Sequence, residues 1–101
     1  MAMTTNMKRD GDALTVELKG RLDTTTAPEL ESELRPALKD GVTELIIDLK
    51  ALDYVSSAGL RVLLSAQKIM NKQGEMTVRN VNDDVMEVFE VTGFVDLLNI
   101  E

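Results

Sequence analysis

The sequence predicts an α/β fold: a single domain over residues 1–101, with a mixed sheet of four to five strands and three to four helices. Three observations carry that prediction. Short apolar runs of strand length alternate with longer segments whose apolar residues recur at helical spacing. The chain opens with two strand-like segments around Asp10-Gly11, a dipeptide that favours a hairpin because both residues tolerate φ > 0. Finally, 101 residues with 44% hydrophobic content suit one core. The element order is β-β-α-β-α-β-α, and strands separated by single helices should pair in parallel through right-handed crossovers.

Residues 1–3 are expected to form a loose N-terminus and Thr4–Arg9 the first strand. In the second, Ala13–Lys19, Leu14, Val16 and Leu18 alternate with Thr15, Glu17 and Lys19, the period of a strand with one buried face. Thr26 and Glu29 have the spacing of a capping box, and Pro28 falls in the first helical turn, where its missing N–H is harmless. Ala27, Leu30, Leu34, Ala37 and Leu38 then make a helical stripe. Pro36 should kink that helix or end it early.

Leu45-Ile46-Ile47, between Glu44 and Asp48, reads as a strand covered on both faces. A connection, Lys50–Ser56, leads to the second helix, with Asp53 as a turn residue and Tyr54 packing its ring while its hydroxyl stays wet. On that helix Arg61, Ser65, Lys68 and Lys72 share one face, opposite Gly59, Leu63, Ala66 and Met70, and Gly74 closes it. Met76–Arg79 forms the next strand. Met70 and Met76 read as core fillers that could border a binding patch. Asn82 caps a third helix with Asp83 and Asp84 in its first turn and Val85, Val88 and Phe89 on its core face. Gly93 ends it, and Phe94–Ile100 adds a short packed turn.

The composition removes several chemistries. There is no Cys, hence no disulfide, thiol nucleophile or Cys-ligated zinc, and no His, hence no imidazole base or Ser-His-Asp triad. With 11 Lys+Arg against 18 Asp+Glu the net charge is −7, which argues against nucleic acid as a partner. The apolar runs are too short to cross a membrane, and Lys8 and Arg9 lead into a turn rather than a leader peptide, so a cytoplasmic domain without membrane insertion is expected. No catalytic residue, metal or cofactor is assigned.

Function should lie where three loops, Gly20–Thr26, Lys50–Ser57 and Asn80–Asp83, leave the carboxyl edge of the sheet. Ser56-Ser57-Ala58-Gly59-Leu60 lacks the Gly-x-Ser-x-Gly of a nucleophile elbow and the Gly-Lys-Ser/Thr ending of a phosphate loop. It reads either as a helix start, with serine as N-cap, or as an exposed serine open to regulatory phosphorylation. Gly59 would let the helix approach the sheet closely. Asp23 reads as a turn or capping carboxylate, or as a neighbour of Ser57 at the same edge.

Gly20-Arg21-Leu22-Asp23 with Thr26-Ala27, followed by an apolar strand and Ser56-Ser57-Ala58-Gly59-Leu60, resembles the STAS domain family over essentially the whole chain. More narrowly it resembles the free-standing bacterial anti-sigma factor antagonists. The resemblance implies a binding module rather than an enzyme. An anti-sigma factor that is also a serine kinase would bind the unphosphorylated antagonist and release its sigma factor. The kinase would phosphorylate the antagonist, and a PP2C-type phosphatase would reset it. The family motif is Asp-Ser-Ser/Thr-Gly-Leu, with phosphate on the serine after the Asp. Anchored on Gly59-Leu60, Ser56 stands in place of that Asp, Ser57 matches the phosphoacceptor and Ala58 replaces the second hydroxyl residue. Ser57 is therefore favoured over Ser56, and Asp23, Thr24, Ser56, Ser57, Ala58 and Gly59 are the expected partner-binding residues. A STAS subunit without a switch, serving a transport or stress-signalling complex, is the alternative.

Overall fold

The structure, a computed structural model, describes residues 3–101. Of the expected loose N-terminus, residues 1 and 2 lie outside the described residues, and Met3 packs half-buried against the core. Strands β1 (Thr4–Asp10) and β2 (Ala13–Leu22) pair antiparallel across a turn in which Gly11 takes φ +62°. There follow α1 (Ala27–Leu38), β3 (Glu44–Val55), α2 (Ser57–Gln73), β4 (Glu75–Arg79), α3 (Asp83–Thr92) and a 3₁₀ turn (Phe94–Asp96).

The sheet order is β1-β2-β3-β4, with β2, β3 and β4 parallel. Strands laid down in one direction through right-handed crossovers place the intervening helices on the same face. Leu14, Val16 and Leu18 of β2, Leu45, Ile47 and Leu49 of β3, and Met76 and Val78 of β4 are buried on that face. They join Leu30 and Leu34 of α1, Leu63 and Met70 of α2 and Phe89 of α3 in a single core. The alternate residues Thr15, Glu17, Ile46, Asp48 and Thr77 are only half-buried. The expectation that Leu45-Ile46-Ile47 is covered on both faces is thus corrected: all the crossovers run to one side, and Ile46 points to the uncovered side. Met70 and Met76, 0% and 2% exposed, belong to the core and border no patch.

The expected connection Lys50–Ser56 is also corrected, because β3 continues to Val55. Opposite Glu17 and Lys19 stand Asp48 and Ala51, and opposite Gly20 and Arg21 stand Leu52 and Tyr54, so β3 carries one extra residue at each place. These bulges convert the buried period of two into steps of three, Leu49, Leu52 and Val55. Asp53 is consequently an exposed strand residue rather than a turn residue. Pro36 neither breaks α1 at once nor sets its last residue, for the helix runs on to Leu38. The carbonyl that Pro36 leaves without an N–H is that of Ser32, on the exposed side where water can serve it. At the C-terminus Val78 N–H donates to the Asn99 carbonyl and Glu101 N–H to the Val78 carbonyl, both at 2.8 Å. This parallel bridge to Ile100 lines the outer edge of β4 with a trace of a fifth strand.

Candidate functional site

Parallel strands point their carboxyl ends the same way, so the β2–α1, β3–α2 and β4–α3 junctions all lie toward the carboxyl edge of the sheet. Strands β2 and β3 end level, with Leu22 opposite Val55, while β4 ends earlier, with Arg79 opposite Asp48. The Ser56 N–H donates to the Leu22 carbonyl at 2.8 Å, which joins the last residues of β2 and β3 and sets Ser56 beside the Asp23 turn.

Asp23 organises the first junction. Its Oδ1 accepts from the backbone N–H groups of Thr25 (2.9 Å) and Thr26 (3.1 Å), and its carbonyl accepts from Ala27 N–H (2.8 Å). The buried Thr26 hydroxyl donates to the Arg21 carbonyl (2.7 Å) and accepts from Asp23 N–H (2.8 Å). Thr26 makes no side-chain cap bond to α1, so the expected Thr26–Glu29 capping box is absent. A hydroxyl already spent on the turn cannot also cap, and the Asp23 carboxylate takes over the orphan N–H groups. The N–H of Thr26, then that of Thr25, the Thr26 hydroxyl and the Arg21 charge hold the Asp23 carboxyl below its usual range, against some desolvation. Arg21 Nε lies 3.8 Å from Asp23 Oδ2, and its guanidinium covers the Tyr54 ring at 4.2 Å from the centroid. The Tyr54 side chain is half covered in this way, as expected of its ring.

The second junction separates two adjacent serines. Ser56 is the N-cap of α2, with extended backbone (φ −96°, ψ 174°), and its Oγ accepts from Gly59 N–H at 3.3 Å. It is half-buried. Ser57 is the first helical residue and is exposed. Gly59 is buried, and a Cβ there would lie 2.6 Å from Leu22 Cγ. Gly59 therefore seats α2 on the sheet and offers no contact surface, unlike the other five expected residues. Thr24 and Ala58 line a groove of about 370 Å³ between the starts of α1 and α2, together with Ala27, Pro28, Glu31 and Arg61. Pro28, Glu31 and Arg61 were not singled out from the sequence as site residues. The stripe arithmetic that put Arg61 on the polar face of α2, four residues after Ser57, was the available signal.

At the third junction Asn82 Oδ1 accepts from Val85 N–H (2.8 Å), while its Nδ2 donates to the Leu52 carbonyl (2.7 Å), tying α3 to β3. Among the described residues no cluster of three or more carboxylates stands ready to hold a metal ion, and no helix is long and apolar enough to cross a membrane.

The sequence model of one family, the STAS domain, matches residues 4–101. A Bordetella bronchiseptica protein provisionally named anti-sigma factor antagonist BtrV is 39% identical over 84 residues, 82% of this chain and 72% of that one. The anti-sigma-B factor antagonist of Staphylococcus aureus is 34% identical over 86 residues, 84% of this chain and 80% of that one. Among solved structures, an anti-sigma factor antagonist from Mycobacterium paratuberculosis superposes with a TM-score of 0.88 at 24% identity, covering 97% of this chain and 84% of its own.

Proposed function

This chain belongs to the STAS domain family, and from that premise we propose that it is a cytoplasmic anti-sigma factor antagonist switched by phosphorylation at Ser57. In its unphosphorylated form it binds an anti-sigma factor that is also a serine kinase, and so frees a sigma factor for transcription. The partner transfers the γ-phosphoryl of ATP to Ser57 Oγ, which ends the complex. A PP2C-type phosphatase hydrolyses the ester and restores the hydroxyl. The chain itself acts as a regulatory binding protein. The two relatives named as antagonists, at 39% and 34% identity, support the class of partner.

The observation that carries the switch is the division of labour between the serines. Ser56 Oγ is committed to the Gly59 N–H, whereas Ser57 is exposed in the first turn of α2. Phosphate there adds about −1.5 to −2 charges, taking the net −7 to about −9. Two like charges about 4 Å apart repel by about 4 kcal/mol at an effective dielectric of about 20. Half of that, about 2 kcal/mol, weakens a complex more than about tenfold. Release therefore requires no refolding.

The test is incubation of the purified protein with its kinase partner and ATP, followed by phosphosite mapping. One phosphate on Ser57, and none on a Ser57→Ala variant, is expected; full labelling of Ser57→Ala would sink the assignment. Ser57→Asp should lose partner affinity by about tenfold, whereas binding unchanged by both substitutions would favour the STAS subunit without a switch.

A further inference from the structure

The geometry points to Arg61 as the intramolecular receiver of the phosphate on Ser57, an inference that rests on Ser57 being the phosphoacceptor. Both side chains are exposed on α2, and they stand four residues apart. That spacing stacks side chains one turn above each other, with Cβ atoms about 5–6 Å apart.

The charge arrangement around Arg61 is the second observation. The chain has five arginines, and four have a carboxylate partner: Arg9 with Asp40, Arg21 with Asp23, Arg35 with Glu31 and Arg79 with Glu101. Arg61 has none among the described residues. Its own helix contains no Asp or Glu, and its other charged residues are Lys68 and Lys72. Glu31 is the one acid lining the groove that Arg61 borders, and it is engaged by Arg35 at 3.2 Å. An unpaired guanidinium thus stands one turn from an exposed hydroxyl, in a chain whose net charge is −7.

A phosphoserine at position 57 supplies the missing anion. Its oxygens match the guanidinium fork, and an anion placed N-terminal to the cation is the orientation the helix dipole favours. Pairing draws Arg61 back over the first turn and away from the groove lined by Thr24 and Ala58. Phosphorylation then has two effects on the docking edge: it adds negative charge, and it withdraws the one arginine the groove offers a partner.

The test places phosphoserine at position 57 of the full chain by genetic encoding, so that it does not depend on any kinase. Phosphorus NMR then follows the second ionisation of the phosphate, ordinarily near pH 6. With Arg61 present it should titrate about 0.3 pH unit lower than in an Arg61→Gln variant, the size of an exposed ion pair at this spacing. Arg61→Lys should keep part of the shift, and Lys68→Gln should leave it whole. Glu31 of α1 is the titratable group lining this groove beside Arg61, while the Asp23 carboxylate of the preceding turn is engaged by Thr25, Thr26 and Arg21. The comparison is therefore repeated in a Glu31→Gln background, where the shift should persist. Identical titration with and without Arg61 overturns the inference. A kinase that ignores Ser57 overturns the proposed switch instead, and the two failures are read in separate experiments.

Discussion

Helices α2 and α3 start at the same edge of the sheet, with the same device, and then part company. In each, the cap oxygen accepts the N–H of the residue three further on: Ser56 from Gly59 at 3.3 Å, Asn82 from Val85 at 2.8 Å. In α3 the cap is followed by Asp83 and Asp84; in α2 it is followed by Ser57 and Ala58. The first turn of a helix carries about half a positive charge from its unpaired N–H groups. Helix α3 meets that charge with its own carboxylates and α2 with none, while every charged residue of α2 is a cation. The cap therefore does not distinguish the candidate site, since both helices have one. The distinguishing feature is an exposed hydroxyl where the neighbouring helix carries a carboxylate.

The sharpest way to break this comparison is at the third position after the cap, glycine in α2 and valine in α3. Gly59→Ala forces a methyl group to within 2.6 Å of Leu22 Cγ and 3.0 Å of the Leu22 carbonyl oxygen. Overpacking of this kind costs about 1–3 kcal/mol, readable as a lower urea midpoint at unchanged slope. An unchanged midpoint would mean that α2 is not pressed against the sheet as described. The caps come next. Asn82→Ala removes both the cap and the bond to the Leu52 carbonyl, and should cost about 1–2 kcal/mol; Ser56→Ala, which removes one long bond, should cost about 0.5–1 kcal/mol. Equal losses would erase the distinction drawn between the two junctions.

The smallest effect belongs to the start of α1, where Asp23 does the capping. Its folded-state pKa is depressed, so its contribution is fully present above the ordinary carboxylate pKa of about 3.9 and is lost as pH falls through the lower folded value. Stability curves of the wild type and Asp23→Asn should run parallel above about pH 5 and converge below about pH 4. A constant offset down to acid pH would show that the carboxylate charge plays no part.

Most of the architecture could be read from the residues, because periodicity and punctuation agree. Asp10-Gly11 makes the hairpin, Asn82 caps α3, Gly93 ends it at φ +81°, and Leu14, Val16 and Leu18 face the core. The failures share a physical cause: they depend on the pairing partner rather than on the segment itself. Leu49, Leu52 and Val55 look irregular alone and become a strand only when the bulges opposite β2 are known. Whether Ile46 is covered depends on sheet order and crossover hand, to which a three-residue apolar run is blind. Thr26 had two available hydrogen-bonding schemes, and the Asp23 turn decided between them. At the site, the motif indicated Ser57, but the lone state of Arg61 emerged only after the other four arginines had found their acids.

The two extra residues of β3 act as a vernier between the chain's length and the position of its working edge. Each bulge slips β3 forward by one residue against β2, and together they bring Val55 level with Leu22, where the Ser56 N–H can reach the Leu22 carbonyl. Removing one residue at Lys50 or Ala51 would iron out one bulge and leave Leu52 and Val55 facing inward, so the core would hardly register the loss. Because the bulge itself absorbs the extra residue, Leu52 would stay opposite Gly20 and Val55 opposite Leu22, and the start of α2 would keep its place. A chain shortened there would keep both its fold and the place of its serine, so the bulges are where β3 can lose a residue without moving the site.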